Sequence, residues 1–227
     1  MHTLMRNGIR YLLRAAEYAA VNAANAARPA PPQCKRYSSS DLLVARELAD
    51  RLRPGDAVLD IGCSDGHRLG TIQFFKPIGK AGVDLAPPPS PPGMSLSAYD
   101  GRRLPFEDKT FDVAMICYVL HHLKEEHAVS IVHEAIRVSR RGVLVVEDSV
   151  PEFGVFYRLR NTFHRLDSNL AFSPAPNYVR TPDNAMFLTH AQWSNLFGRL
   201  SAIRKTEVHP LSSITKYAHH TLFELHL

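Results

Sequence analysis

Cysteine is scarce and odd in number: Cys34, Cys63 and Cys117 are the only three in 227 residues, and no two stand in Cys-x-x-Cys spacing. This argues against a disulfide framework and against a cysteine zinc site, and it fits a reducing compartment. Long apolar runs are also missing. None approaches the ~20 residues that cross a bilayer, so no membrane span is expected, while a hydrophobic content of 45% is too high for wholesale disorder. No internal repeat is visible. Acidic residues are nearly absent from residues 1–40, which hold Arg6, Arg10, Arg14, Arg28, Lys35 and Arg36 against Glu17 alone. The whole chain has 27 Lys and Arg against 22 Asp and Glu, a formal +5, so residues 41–227 keep 21 of each sign and are neutral. The basic balance is therefore local and is no sign that the rest of the chain handles nucleic acid.

What is present is enough for one domain with modest additions. Residues 1–40 form a basic arm: Leu4, Met5, Ile9, Leu12, Leu13 and Ala16 alternate with Arg6, Arg10 and Arg14 at helical spacing, and Pro29, Pro31 and Pro32 end the pattern. Two readings fit it, a mitochondrial presequence and a helix folding over an active-site mouth. A secretory signal does not fit, because arginines interrupt every apolar stretch. Residues 41–227 form the main domain, with a lid insertion at about 150–188 that is rich in aromatics, including Phe153, Phe156, Tyr157, Phe163, Phe172, Tyr178 and Phe187.

After a helix over about 40–52 and the stop Pro54-Gly55, the segment from Ala57 to Ile61 is an apolar run suited to a strand buried on both faces. It enters a turn, Gly62-Cys63-Ser64-Asp65-Gly66, and then a new helix. A dinucleotide fingerprint needs three glycines as G-x-G-x-x-G. Here the spacing is Asp60-x-Gly62-x-x-x-Gly66, with a carboxylate at the strand end that would repel a pyrophosphate and can help hold an ammonium group. An NAD-dependent oxidoreductase is disfavoured on that ground.

These residues resemble motif I of the class I S-adenosylmethionine-dependent methyltransferases. Further segments agree in order and interval: Lys80 to Asp84, Ser95 to Tyr99 followed by Asp100-Gly101, the strand Val113 to Val119, and Leu120-His121-His122-Leu123, read as opening a helix. Across about residues 54–148 the set resembles the type 11 methyltransferase group. The resemblance implies an α/β fold, a Rossmann-like doubly wound seven-stranded sheet closed by a C-terminal antiparallel hairpin, here about Ala202 to Val208 and Ala218 to Leu225. It implies S-adenosylmethionine as cofactor, held by Asp60, Gly62, Cys63, Gly66, Asp84, Leu85, Asp100, Gly101 and Cys117, with Asp84 accepting from the ribose hydroxyls. Two departures stand out. Ser64 replaces a glycine often found in motif I, and the helix usual after the second strand gives way to the proline-rich stretch 87–93.

Methyl transfer from a sulfonium is an in-line displacement, so positioning and exclusion of water come first, and a base is needed only for an acceptor that must lose a proton. Groups at the carboxyl ends of strands four and five are placed for that work: Cys117, Tyr118, His121, His122, Glu147 and Asp148. Tyr118, His121 and Asp148 are the candidate catalytic residues, with His121 the expected pocket-facing histidine and Cys117 a pocket wall. No metal is expected, because His121, His122, His127 and His133 lack a helical ligand pair with an acidic partner.

The function expected is methyl transfer to an unidentified acceptor, in the cytoplasm or the mitochondrial matrix. The rival reading is a methyltransferase-like scaffold in a larger ribonucleoprotein, contacting RNA or a protein partner through the basic arm.

Overall fold

The computed structural model describes residues 39–149, 186, 188–213 and 219–227. The N-terminal arm and most of the expected lid fall outside them.

Helix α1 (Ser39–Arg51) opens the described chain, and Leu43, Val44, Ala45, Leu48 and Ala49 bury its apolar side. The turn at Pro54 and Gly55 leads into β1 (Ala57–Ile61), whose last four residues are buried. A short helix α2 (His67–Ile72) follows the glycine turn, then β2 (Gly79–Asp84), β3 (Ser95–Ala98) and β4 (Phe111–Cys117). Helix α3 (Glu125–Val138) turns Ala128, Ile131, Val132, Ala135 and Ile136 to the sheet, with Glu125 and Glu126 in its first turn and Arg137 in its last, the arrangement that suits the helix dipole. Strand β5 (Ser139–Ser149), helix α4 (His190–Gly198), β6 (Lys205–Ser213) and β7 (His219–His226) complete the order.

The strands form one sheet in the order β3-β2-β1-β4-β5-β7-β6. The first five are parallel, and β7 enters antiparallel between β5 and β6. Because side chains alternate along a strand, each central strand feeds two cores. Leu59, Ile61, Val143 and Val145 pack with α3 and α4 around Trp193 and Phe197. Val58, Met115, Leu144 and Val146 pack with α1 and α2 around Leu48 and Leu69. Parallel strands buried on both faces must be apolar throughout, so the one acid inside β1, Asp60, is conspicuous.

This is the doubly wound α/β sheet with an antiparallel C-terminal hairpin that the motif order implies. No helix joins β2 to β3; the proline-rich stretch spans the crossover instead. Three boundaries differ from expectation. Strand β4 ends at Cys117 and not at Val119, because Tyr118 takes a left-handed backbone conformation with φ of 60°. Residues Leu120–His122 form a single 3-10 turn, and α3 starts only at Glu125, after Lys124 in an extended conformation. Strand β6 begins at Lys205, not near Ala202, because residues 201–202 are still turning and Ile203 N–H donates back to Leu200 O. It then runs to Ser213 through Pro210, which is tolerated because β6 is the edge strand.

Candidate functional site

The carboxyl ends of β1 and β2 meet at the glycine turn. Gly62 N–H and Cys63 N–H both donate to Val83 O, at 2.8 and 3.1 Å, and Gly66 N–H returns to Cys63 O at 2.9 Å. Gly62 and Gly66 have φ of 77° and 74°, and a Cβ on Gly62 would stand 2.4 Å from Val119 Cγ2. Neither position admits an ordinary side chain without strain. Ser64 also lies in the left-handed region, at φ 51°, which accounts physically for the glycine that the related motif often carries there. Its backbone is held in place by Asp84: Ser64 N–H donates to Asp84 Oδ2 at 2.8 Å and Leu85 N–H to Asp84 Oδ1 at 2.7 Å. The acid at the end of β2 thus braces the turn at the end of β1.

Asp60 is 2% exposed, and its Oδ1 is buried without a hydrogen bond. Burial is the main influence on its carboxyl, pushing it up to about 7, with Arg68 drawing it down and Asp84 adding to the rise. A buried, unpartnered carboxylate oxygen at the end of a parallel strand is what a cationic ligand group would satisfy. Cys63 is buried beside it, its thiol pushed up to about 12 by burial and by the Asp60 and Asp84 charges, so it is a wall and not a nucleophile. Asp100 is spent on its own turn, accepting from Arg102 N–H at 2.8 Å and Arg103 N–H at 3.1 Å, bonds that lower its pKa. Gly101, at φ 76°, lies against Leu85, which is 60% exposed.

At the carboxyl ends of β4 and β5 the structure brings Tyr118 and Asp148 together with a residue the motifs do not mark. His220, in β7, lies opposite Asp148 in register, and its Nδ1 is 3.0 Å from Asp148 Oδ1. The Tyr118 ring packs edge-on to His220, centroids 4.8 Å apart, while the Arg68 guanidinium sits 5.2 Å over its centroid. Tyr118 Oη is buried and makes no hydrogen bond. Cys117 is buried at the end of β4, and burial raises its thiol well above the ordinary range.

His121 is placed differently. Its Nδ1 is 2.6 Å from Glu147 Oε2, the pair being almost wholly shielded from solvent, and Glu147 Oε1 also accepts from Val119 N–H and Leu120 N–H. Burial opposes the imidazolium, but the Glu147 carboxylate outweighs it and raises the pKa of His121. Glu147 and Asp148 are neighbours in β5, so their side chains leave opposite faces of the sheet. The structure therefore pairs Tyr118 with Asp148 and draws His121 into the bracket that closes the 3-10 turn. His122 lies with its ring tilted 41° to that of His121, centroids 4.1 Å apart, and is pushed down to about 3, by burial first and the neighbouring ring second.

Comparison with known proteins bears on the fold that carries these residues. The methyltransferase domain family matches residues 59–146. A demethylmenaquinone methyltransferase of Streptomyces griseus is 30% identical over 117 residues, 46% of this chain and 47% of the relative. The chain thus aligns with about half the length of that curated relative. Among solved structures, an S-adenosylmethionine-dependent methyltransferase from Methanosarcina mazei superposes with a TM-score of 0.52 at 18% identity, covering 80% of this chain and 97% of its own. The YcgJ protein of Bacillus subtilis does so with a TM-score of 0.55 at 16% identity, covering 83% and 98%. At such identities the likeness is one of fold.

Proposed function

We propose, from the premise that this chain is built on a class I methyltransferase domain, that it binds S-adenosylmethionine at the β1–β2 cleft and transfers its methyl group. The observation that carries this reading is Asp60, whose buried Oδ1 has no hydrogen bond, beside a turn braced by Asp84. In this reading Asp60 takes the ammonium end, the backbone at Gly62 and Gly66 allows close approach, Asp84 takes hydroxyls, and Leu85 and Gly101 take a flat ring. When bound, the cofactor supplies an electrophilic methyl on a sulfonium.

The chain's part is to hold and prepare the acceptor. His220, oriented through Nδ1 by Asp148, keeps Nε2 for an acceptor proton, and the Tyr118 ring packs edge-on against the imidazole and helps hold it. Such a dyad serves an acceptor that must lose a proton before it reacts.

The test is calorimetric titration with S-adenosylmethionine. Asp84→Ala is expected to weaken binding by roughly tenfold or more, from the ~1.5 kcal/mol upward carried by a charge-assisted hydrogen bond. Unchanged affinity would remove Asp84 from the site. Methyl-labelled cofactor incubated with a fractionated cell extract then reports the acceptor, and bound cofactor with no labelled fraction would count against transfer.

A further inference from the structure

The far end of the hairpin holds a second polar cluster, away from the glycine turn. In the β6–β7 register Glu207 lies directly opposite Glu224, and Lys205 opposite His226. Two carboxylates facing each other across a strand pair repel unless positive charge offsets them. Two imidazoles converge on them. His226 Nε2 is 3.5 Å from Glu207 Oε1 and 3.7 Å from Glu224 Oε1. His209 Nε2 is 3.5 Å from Glu207 Oε2 and 3.6 Å from Glu224 Oε2. Both nitrogens are buried and make no hydrogen bond, and the same holds for Arg51 Nε, 3.3 Å from Glu224 Oε2. The side chains that carry them are partly open to solvent, 39% exposed for His226 and 30% for His209, so water or a bound ion can complete these atoms.

The His226 separations leave room for an ion between the side chains. Separations of 3.5–3.7 Å are long for an N–H···O bond, which sits near 2.9–3.0 Å. Two ligand atoms on one tetrahedral zinc, each about 2.0–2.2 Å from the metal, stand roughly 3.3–3.5 Å apart. One ligand atom from each of Glu207, Glu224 and His226 lies within 4.8 Å of the other two. One imidazole and two carboxylates form a donor set that zinc accepts with a fourth position left to water.

We propose that Glu207, Glu224 and His226 bind a zinc-type divalent cation, one atom each. His209 and Arg51 remain on the other oxygens of the same carboxylates and keep them aimed, as outer partners of a metal site do. Lys205 Nζ, 2.5 Å from Glu207 Oε1, competes for that oxygen, but its side chain is 66% exposed and can swing into water. Since β7 is antiparallel to β5, His226 pairs with Gly142 at the end opposite Asp148 and His220. The ion would fasten the edge strand β6 to β7 and take no part in the methyl-transfer cleft.

Full-length protein treated with chelator and titrated with zinc sulfate is expected to take up the metal and to melt at a higher temperature with it. Glu224→Gln and His226→Gln should each lower the affinity on the order of tenfold or more and abolish the rise in melting temperature, whereas Lys205→Ala should tighten binding. If Glu224→Gln fails to fold in zinc-free buffer, Glu207→Gln must show the same loss. The chain has 12 histidines, so zinc uptake that is equal in wild type and all these variants would overturn the proposal, as would no uptake by wild type.

Discussion

Asp60 shows what a single buried acid does to the energetics of the molecule. With its carboxyl raised from 3.8 to about 7, the folded state holds a proton that the unfolded state releases. The stability this contributes is fully present below about pH 4, falls as the pH rises toward 7, and is gone above that value. Thermal melting between pH 4 and 8 should therefore show wild type losing ground to Asp60→Asn across that window and running parallel above it. Affinity for S-adenosylmethionine should move the other way. It should rise through the same window in wild type, as Asp60 ionises and attracts an ammonium group, and stay flat in Asp60→Asn. Equal pH profiles for the two proteins would detach Asp60 from the cofactor.

The residues of the glycine turn were legible in the sequence because their roles are local. A left-handed φ at Gly62 and Gly66 is a demand of the backbone at those positions, whatever packs around them. Asp84 braces Ser64 across 20 residues, and order and interval along the chain were enough to mark it. His220 was not legible. It meets Asp148 across 72 residues, and nothing in a run of strand residues says which of two adjacent histidines faces which neighbour until the β5–β7 register is set.

Among elements, the bracket at the end of β4 gathers its polar groups on one carboxylate. Glu147 takes two backbone N–H groups and the His121 imidazole, all from the stretch 119–121. This replaces the helix start that the Leu120-His121-His122-Leu123 pattern suggested, because a carboxylate supplied by the neighbouring strand satisfies N–H groups that a helix start would have left to caps and water. Glu147→Ala leaves a buried imidazole and two buried donors without their acceptor, and urea denaturation should show a loss of roughly 3–5 kcal/mol. A loss below about 1 kcal/mol would mean the turn relaxes at little cost. Helix α4 is the contrasting case. Its capping box joins Thr189 to Gln192, Gln192 N–H donating to Thr189 Oγ1 at 3.2 Å and Thr189 N–H to Gln192 Oε1 at 2.9 Å. A cap involves four consecutive residues, so sequence can show it.

Across the whole molecule, the one tryptophan reports on the join between its parts. Trp193 is fully buried, stacks on Phe197 with centroids 5.8 Å apart, and donates from Nε1 to Asp148 O at 3.4 Å. It ties α4 to the carboxyl end of β5. Its emission should be blue-shifted in the folded protein, and its red shift in urea should coincide with the loss of far-ultraviolet circular dichroism if the domain unfolds as one unit. An earlier fluorescence transition would show α4 leaving the sheet first. Among the described residues no helix is long and apolar enough to cross a membrane.

By itself the sequence determined the parts whose physics is short-ranged: buried strands from apolar runs, the glycine turn from backbone demands, the α4 cap, and through their order the doubly wound sheet. Tertiary structure decided which polar groups meet. His121 turned into Glu147, Asp148 acquired His220, and Glu207 came to face Glu224 with His226 beside them. A search for metal ligands at helical spacing passes over that last set, because its members are neighbours only through antiparallel pairing. A one-residue slip of that register would send the side chains to opposite faces of the sheet.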